Sequence, residues 1–296
     1  MSSRGWAAFA AMSLIWGVPY LFIKVAVDDG VSPSFLSFAR VVIAAVVLLA
    51  FAGRTVRRLR GHWRWVAAYA IAEIALPFPL IAAGEQRVSS SLAAILIACV
   101  PLLVAVLALR FDADERATGV RLLGLLIGLG GVVALVGIDV AGKTRELVGT
   151  GLIVLAAAGY AAGPMILKRK LAGLDARASM GGALLIAAVL LAVPAGLSAP
   201  TSLPSGEALL AIAVLGLVCT ALAFVVFNFL IVQVGPSRAL VITYLNPVVA
   251  VALGVAILGE RPGAGAVAGL LLILAGSWLS TDGRLPPGLR REPVPA

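Results

Sequence analysis

Arg40 and Glu73 are each embedded in a long apolar run. If those runs cross a bilayer, a lone charge inside one costs at least ~2.5–3.5 kcal/mol, so each needs a partner or a wet cavity. Arg40 stands about 10 Å into its run at ~1.5 Å per residue. Glu73 stands about ten residues into the next run, which in a hydrocarbon core of ~30 Å leaves it near ~15 Å from the opposite boundary. Comparable depths on consecutive segments favour a structural Arg40–Glu73 pair. The alternative is that Glu73 titrates or meets a substrate ammonium. Lys24 lies near the end of the first run, with Asp28 and Asp29 just beyond it. Snorkelling to the interface is its default reading, and lining an outer vestibule is the alternative.

A second set of residues is aromatic or amide. Trp16 and Tyr20 are four apart and share a helix face. Phe78 stands between Pro77 and Pro79, Tyr160 lies in a later run, Phe224, Phe227 and Asn228 follow at helical spacing, and Tyr244 and Asn246 flank Leu245 just before Pro247. Most aromatics in such runs face lipid or pack between helices. An amide away from the interface wants a facing helix or a wet cavity. Together they describe an aromatic, amide-edged pocket with one cation. That suits a zwitterion with an apolar or aromatic side chain. A sugar phosphate or nucleotide would want several Arg or Lys there.

Covalent chemistry finds little support. There is no GxxxxGK[ST], HExxH or GxSxG pattern. Cys99 and Cys219 are isolated inside apolar runs, so neither a disulfide framework nor a metal site is expected. His62, the one histidine, stands beside Trp63 at a segment entrance and reads as interfacial. No enzyme, cofactor or metal is expected. The runner-up from another class is a membrane-embedded enzyme or scaffold.

The elements that carry these residues follow from composition. The chain has 296 residues, of which 61% are hydrophobic and 12% charged, with a mean hydropathy of +1.09. A soluble domain carries about 25% charged residues, so the solvent here is lipid. Apolar runs near the ~20 residues needed for a crossing recur ten times, at roughly 5–27, 33–53, 63–84, 89–110, 117–138, 149–168, 177–197, 206–233, 236–258 and 262–281. They are too long and lack the alternation for strands. The first run is too long for a signal peptide and has no A-x-A-type cleavage site after it.

The net charge of +9 reports topology and not nucleic acid, because the cations sit in short loops. With the N-terminus inside, the inner side receives Arg4, Arg54, Arg57, Arg58, Arg60, Arg64, Arg110, Arg116, Arg121, Lys168, Arg169, Lys170, Arg177, Arg238, Arg284, Arg290 and Arg291. The outer side receives Lys24, Arg87, Lys143, Arg145 and Arg261. That is 17 against 5, so both termini are expected in the cytoplasm, in a multi-pass bacterial inner-membrane protein.

The chain also repeats itself. A shift of 146 places Pro101 on Pro247, and a shift of 145 places Glu115-Arg116 on Glu260-Arg261, Gly124 on Gly269, Gly131 on Gly276 and Pro19 on Pro164. Residues 1–143 and 144–282 are therefore expected as two five-helix repeats, with 283–296 as a disordered tail. Five crossings invert the second repeat. Two inverted halves around a central cavity are a recurrent design of secondary transporters, with the substrate site near mid-membrane. The repeat-paired prolines Pro19, Pro101, Pro164 and Pro247 are expected to kink their helices as gates. Gly124 and Gly128 have small-xxx-small spacing. Packing within the chain is preferred to dimerisation, so a monomer is expected and a dimer is the alternative.

These motifs resemble the drug/metabolite transporter superfamily, specifically its ten-helix EamA-type exporters. The matching residues are Leu14-Ile15-Trp16-Gly17 with Lys24, Phe38-Ala39-Arg40 with Ala44, Pro101, Glu115-Arg116, Asn246-Pro247-Val248, Gly259-Glu260-Arg261 and Leu274-Ala275-Gly276. Within the family the chain looks most like YddG-type amino-acid exporters. The resemblance implies a basket of ten helices around a central cavity and the export of small polar metabolites from bacteria. Phe111-Asp112-Ala113-Asp114 stands where the family usually has a Leu-Gly pair, and Tyr160 and Pro164 where a Trp and no Pro are more usual. The leading expectation is export of aromatic or large apolar amino acids by alternating access. A multidrug or organic-cation extruder using Glu73 is the runner-up.

Overall fold

The computed structural model describes residues 3–52, 59, 61–111, 118–234 and 242–282. They form ten helical spans and, among the described residues, no strand. Eight are long and apolar enough to cross a membrane: α1 (Gly5–Asp28), α2 (Pro33–Ala50), α3 (Trp63–Glu85), α4 (Ser90–Arg110), α5 (Val120–Val140), α6 (Thr144–Lys170), α7 (Ala178–Leu197) and α8 (Gly206–Phe227). Two shorter apolar helices come after them, α9 (Ile242–Leu258) and α10 (Ala264–Ser280). The expected tail, and Asp112 to Arg116, fall outside the described residues. We call the end of the bundle at which α1, α3, α5, α7 and α9 finish the far end.

Exchanging each helix with the one five places on leaves the pattern of main neighbours unchanged. α2 packs on α7, α4 on α9 and α5 on α10. α1 meets α8 as α6 meets α3, α1 meets α9 as α6 meets α4, and α2 meets α8 as α7 meets α3. That is the contact pattern of two five-helix units related by a twofold axis, and an odd number of crossings makes the second unit inverted.

The glycines explain the most extensive of these contacts, between α5 and α10. A methyl group on Gly131 would run into Leu272 and the Gly269 carbonyl; one on Gly276 would run into the Gly128 backbone. Gly124 lies against Leu279 and Ser280, and Gly128 against Leu102 of α4. The small-residue seam expected to pack within the chain does so.

The prolines act unequally. Pro19 has no N–H for the Ile15 carbonyl, and α1 breaks at Val18, between helices Ser3–Gly17 and Pro19–Asp28. α4 breaks at Ala98-Cys99 ahead of Pro101, between helices Ser90–Ile97 and Val100–Phe111. Cys99 N–H there donates to the Leu96 carbonyl at 3.1 Å, a tightened turn. In the second half α6 stays helical through Pro164 and α9 through Pro247. One missing donor does not stop a helix whose flanking turns stay bonded.

Three spans instead contain a widened π turn. In α3 it covers Ile71–Ala75, in α5 Val136–Val140 and in α8 Leu217–Leu222. Those of α3 and α8 occupy repeat-related places. In α3 the cause is legible, because Pro77 and Pro79 remove the donors due to the Glu73 and Ala75 carbonyls. Leu76 N–H then reaches back five residues to the Ile71 carbonyl at 3.1 Å. Such turns are frequent at functional sites.

Two acidic residues tie the far end together. Gly259 takes φ +64°, a left-handed conformation easy only for glycine, and so turns Glu260 under α4. Its carboxylate accepts from Ser90 N at 2.7 Å, Ser91 N at 2.9 Å and the Ser91 hydroxyl. Asp139 likewise accepts from Gly265 N at 3.2 Å and Ala266 N at 2.6 Å, joining α5 to α10. A carboxylate at a helix start satisfies donors that have no partner within the helix and favours the dipole. Glu260→Ala is therefore expected to cost about 2 kcal/mol. The check is a lowered midpoint of thermal unfolding in detergent, with Glu260→Gln in between.

Candidate functional site

Arg40 is carried by α2 and is buried, at 8% exposure. Its Nε donates to Oγ1 of Thr220, in the π turn of α8, at 2.8 Å, and that hydroxyl donates to the Leu215 carbonyl just ahead of the turn at 2.7 Å. The guanidinium carbon lies 4.0 Å from the centre of the Phe78 ring on α3, a cation–π contact. Arg40 is thus clamped by two helices through one N–H and one face. A guanidinium has five N–H donors in a planar fork, and no described residue takes a hydrogen bond from its two Nη groups.

Tyr20 and Tyr160 complete the surroundings, both within electrostatic reach of Arg40. Tyr20 packs between the core around α4 and α6 and the core around α1 and α8. Tyr160 comes from α6, packs against α3 and α8 side chains, and is within reach of Glu73 as well. Arg40, Phe78, Tyr20 and Tyr160, carried by α2, α3, α1 and α6, thus lie near one another.

The expected Arg40–Glu73 pair is not formed. Among the described residues the ion pairs are Lys24–Asp28 at 2.7 Å and Lys143–Glu146 at 3.5 Å. The π turn places Glu73 against α6, where a methyl group on Gly163 would collide with its Oε2, and that oxygen is buried with no hydrogen-bond partner. Arg40 points instead toward α8. The two leave their helices in different directions, and Tyr160 is within electrostatic reach of both.

The other expected residues divide. Trp16 stacks on Phe227, with centroids 4.8 Å apart, and meets Phe224 edge-on at 6.5 Å. Trp16 and Tyr20 stand on either side of Val18 and pack against different clusters, Trp16 with Phe227 and Tyr20 with the cores around α4 and α6 and around α1 and α8. Tyr244 turns away from the cluster: its hydroxyl donates to the Ser277 carbonyl at 3.3 Å and its ring lies 6.0 Å from Trp278 on α10. Asn246 keeps a buried Oδ1 without a partner, and its carbonyl backs onto Gly17, where α9 crosses the break in α1. The Asn228 side chain lies outside the described residues. Lys24 holds Asp28 and donates to the Glu85 carbonyl at 3.0 Å.

Two residues of this region escaped the sequence. Thr220 gave no signal, because a threonine in an apolar run bonds its own backbone by default, as it also does here. Glu85 was hidden by a boundary: with the third run ending at 84, it falls in a turn, whereas in the structure it ends α3 and is wholly buried.

Comparisons with known proteins agree on the kind of molecule. The EamA-like transporter family matches residues 3–137 and again 147–281. An uncharacterized inner membrane transporter, YedA, of Escherichia coli K12 is 30% identical over 268 residues, covering 86% of this chain and 82% of that protein. A probable terminal-alkyne amino-acid exporter of Streptantibioticus cattleyicolor is 27% identical over 301 residues, covering 99% and 97%. A solved crystal structure superposes with a TM-score of 0.65 at 22% identity, covering 95% of this chain and 98% of its own, a likeness of fold alone.

Proposed function

The chain belongs to the EamA-like transporter family, and we propose that it exports amino acids with aromatic or large apolar side chains by alternating access. Arg40 carries this reading. It is a cation held in place by Thr220 and Phe78 with its Nη donors unspent, a geometry that fits the forked bonding of one carboxylate. Tyr20, Phe78 and Tyr160 offer the aromatic wall. Glu73, on the other side of Tyr160, offers the acceptor for the ammonium. The amino-acid exporter among the relatives supports the same class.

Alternating access is supported by the twofold contact pattern, since one unit and its inverted copy can close at opposite ends in turn. The charge count supports a reading with both termini in the cytoplasm and the far end outside. The α5–α10 glycine seam is spent within the chain, which supports a monomer as the transporting unit.

A second reading has its own observation. Glu73 Oε2 is buried without a partner, and an organic cation could supply one. Counterflow into proteoliposomes, run with each proteinogenic amino acid and a few organic cations, separates the two. Exchange confined to large apolar and aromatic amino acids is the expected result. Exchange of cations alone makes Glu73 the principal site, and exchange of nothing sinks the amino-acid reading.

A further inference from the structure

Glu85 is not among the residues to which the proposed amino-acid site assigns a contact. It closes α3 at the far end, is 0% exposed, and neither carboxylate oxygen has a hydrogen-bond partner. Ser90 Oγ, one turn away, is also buried and unpartnered. The charged and titratable groups around it are nearly all committed elsewhere. From α1, Lys24 is held by Asp28 at 2.7 Å, donates to the backbone carbonyl of Glu85 and acts on its carboxyl through space; Tyr20 is also within electrostatic reach. From the α9–α10 turn, Glu260 has the same sign and is spent on the start of α4. From α2, Arg40 interacts only electrostatically. From α6, Arg145 donates to the Gln86 carbonyl at 2.7 Å and Glu146 pairs with Lys143. Arg87, just past α3, turns back to the Ala83 carbonyl.

The seal over Glu85 is tight. Gly84 and Gly149 let α3 and α6 approach so closely that a methyl group on either would overlap the opposite helix. A carboxylate ionised in such a place loses its water and gains no hydrogen bond in return, whereas the neutral acid surrenders far less. Opening the far end would restore water to Glu85 and bring its carboxyl to Lys24.

We propose that Glu85 is a proton-binding latch on the far-end gate, holding one proton when the gate is closed and releasing it to that solution when the gate opens. Only the O–H bond is made or broken. The latch rests on the alternating-access reading. Because the closed form binds more protons than the open one, acidifying the far side favours closure. One proton shifts the open-to-closed ratio by at most about tenfold per pH unit.

The first test is exchange in oriented proteoliposomes with the far-side pH varied. Wild-type exchange is expected to slow on acidification, and Glu85→Gln, a fixed stand-in for the protonated form, to be slow and insensitive to pH. Glu85→Asp keeps the carboxyl in a shifted position and is expected to move the pH midpoint. An unchanged profile in Glu85→Gln, or an unmoved midpoint in Glu85→Asp, overturns the latch.

The second test needs no substrate. Infrared spectra of purified Glu73→Gln protein are compared with those of Glu73→Gln/Glu85→Gln. A carboxylic-acid carbonyl band at neutral pH that vanishes in the double variant is expected, and no such band overturns the latch. The band present, but no amino acid exchanged by the wild type, sinks the exporter reading and upholds the proton site.

Discussion

Arg40→Lys is expected to reduce amino-acid exchange by about 30-fold or more, because truncating one partner of a buried, hydrogen-bonded charge pair costs ~2–5 kcal/mol. The charge survives the change but the fork does not. An ammonium is a point donor that cannot bond Thr220 through a side nitrogen while offering two parallel N–H groups to a carboxylate. It also stacks less well on Phe78. Arg40→Ala removes the charge as well and is expected to abolish exchange. Thr220→Val loosens the clamp while leaving the fork, and about a tenfold loss is expected from one missing hydrogen bond to a charged group. The measurement is counterflow with a large apolar amino acid, normalised to reconstituted protein. Full activity in Arg40→Lys removes the carboxylate role. Organic-cation exchange that persists in Arg40→Ala moves the assignment to Glu73.

The second large effect is on folding. Gly276→Val is expected to prevent the protein from accumulating in a folded, extractable form, and Gly276→Ala to cost about 1–3 kcal/mol. Overpacking is often relieved when a flexible side chain swings aside. Here the atoms in the way are the backbone N and Cα of Gly128, so relief requires separating α5 from α10. No second pairing compensates, because lipid tails are as apolar as the helices and association rests on close packing. Gly130 and Gly151, where an added methyl group meets nothing within 4 Å, are internal controls: their alanine variants are expected to behave as wild type. Fluorescence-detected size exclusion of detergent extracts, followed by thermal unfolding, reads both outcomes. A monodisperse Gly276→Val protein of wild-type stability would mean that the seam is not packed this way.

Much of the fold was legible because lipid imposes simple rules. Runs of about 20 apolar residues mark crossings, and the repeat offsets that align Pro101 with Pro247 and Glu115 with Glu260 announce two units. The positions of Arg40 and Glu73 along their spans were also readable, since position is a count along the chain. Their directions were not. Glu73 sits in a π turn, which adds a residue to the local repeat and rotates the helix beyond it, and a count along the chain does not register such a turn. Tyr244 was ambiguous from sequence because a tyrosine next to a cavity and one bonded to a neighbouring carbonyl look alike. The sequence located polar residues within the membrane, and local departures from ideal helix geometry decided which of them met.

The unequal fate of the repeat-paired prolines bears on the transport cycle. If both halves were identical, the forms closed at either end would be equivalent by the twofold rotation and have the same free energy, and an empty carrier would spend equal time in each. Here α1 and α4 are interrupted at Val18 and at Ala98-Cys99, ahead of Pro19 and Pro101, while α6 and α9 continue through Pro164 and Pro247. Under the alternating-access reading, this inequality is expected to give the empty molecule a resting side. A few kcal/mol of such bias leaves the disfavoured orientation at about 0.1–10% of the population, a range typical of two-state proteins. Substrate presented from the two faces would then meet different apparent affinities at one and the same site.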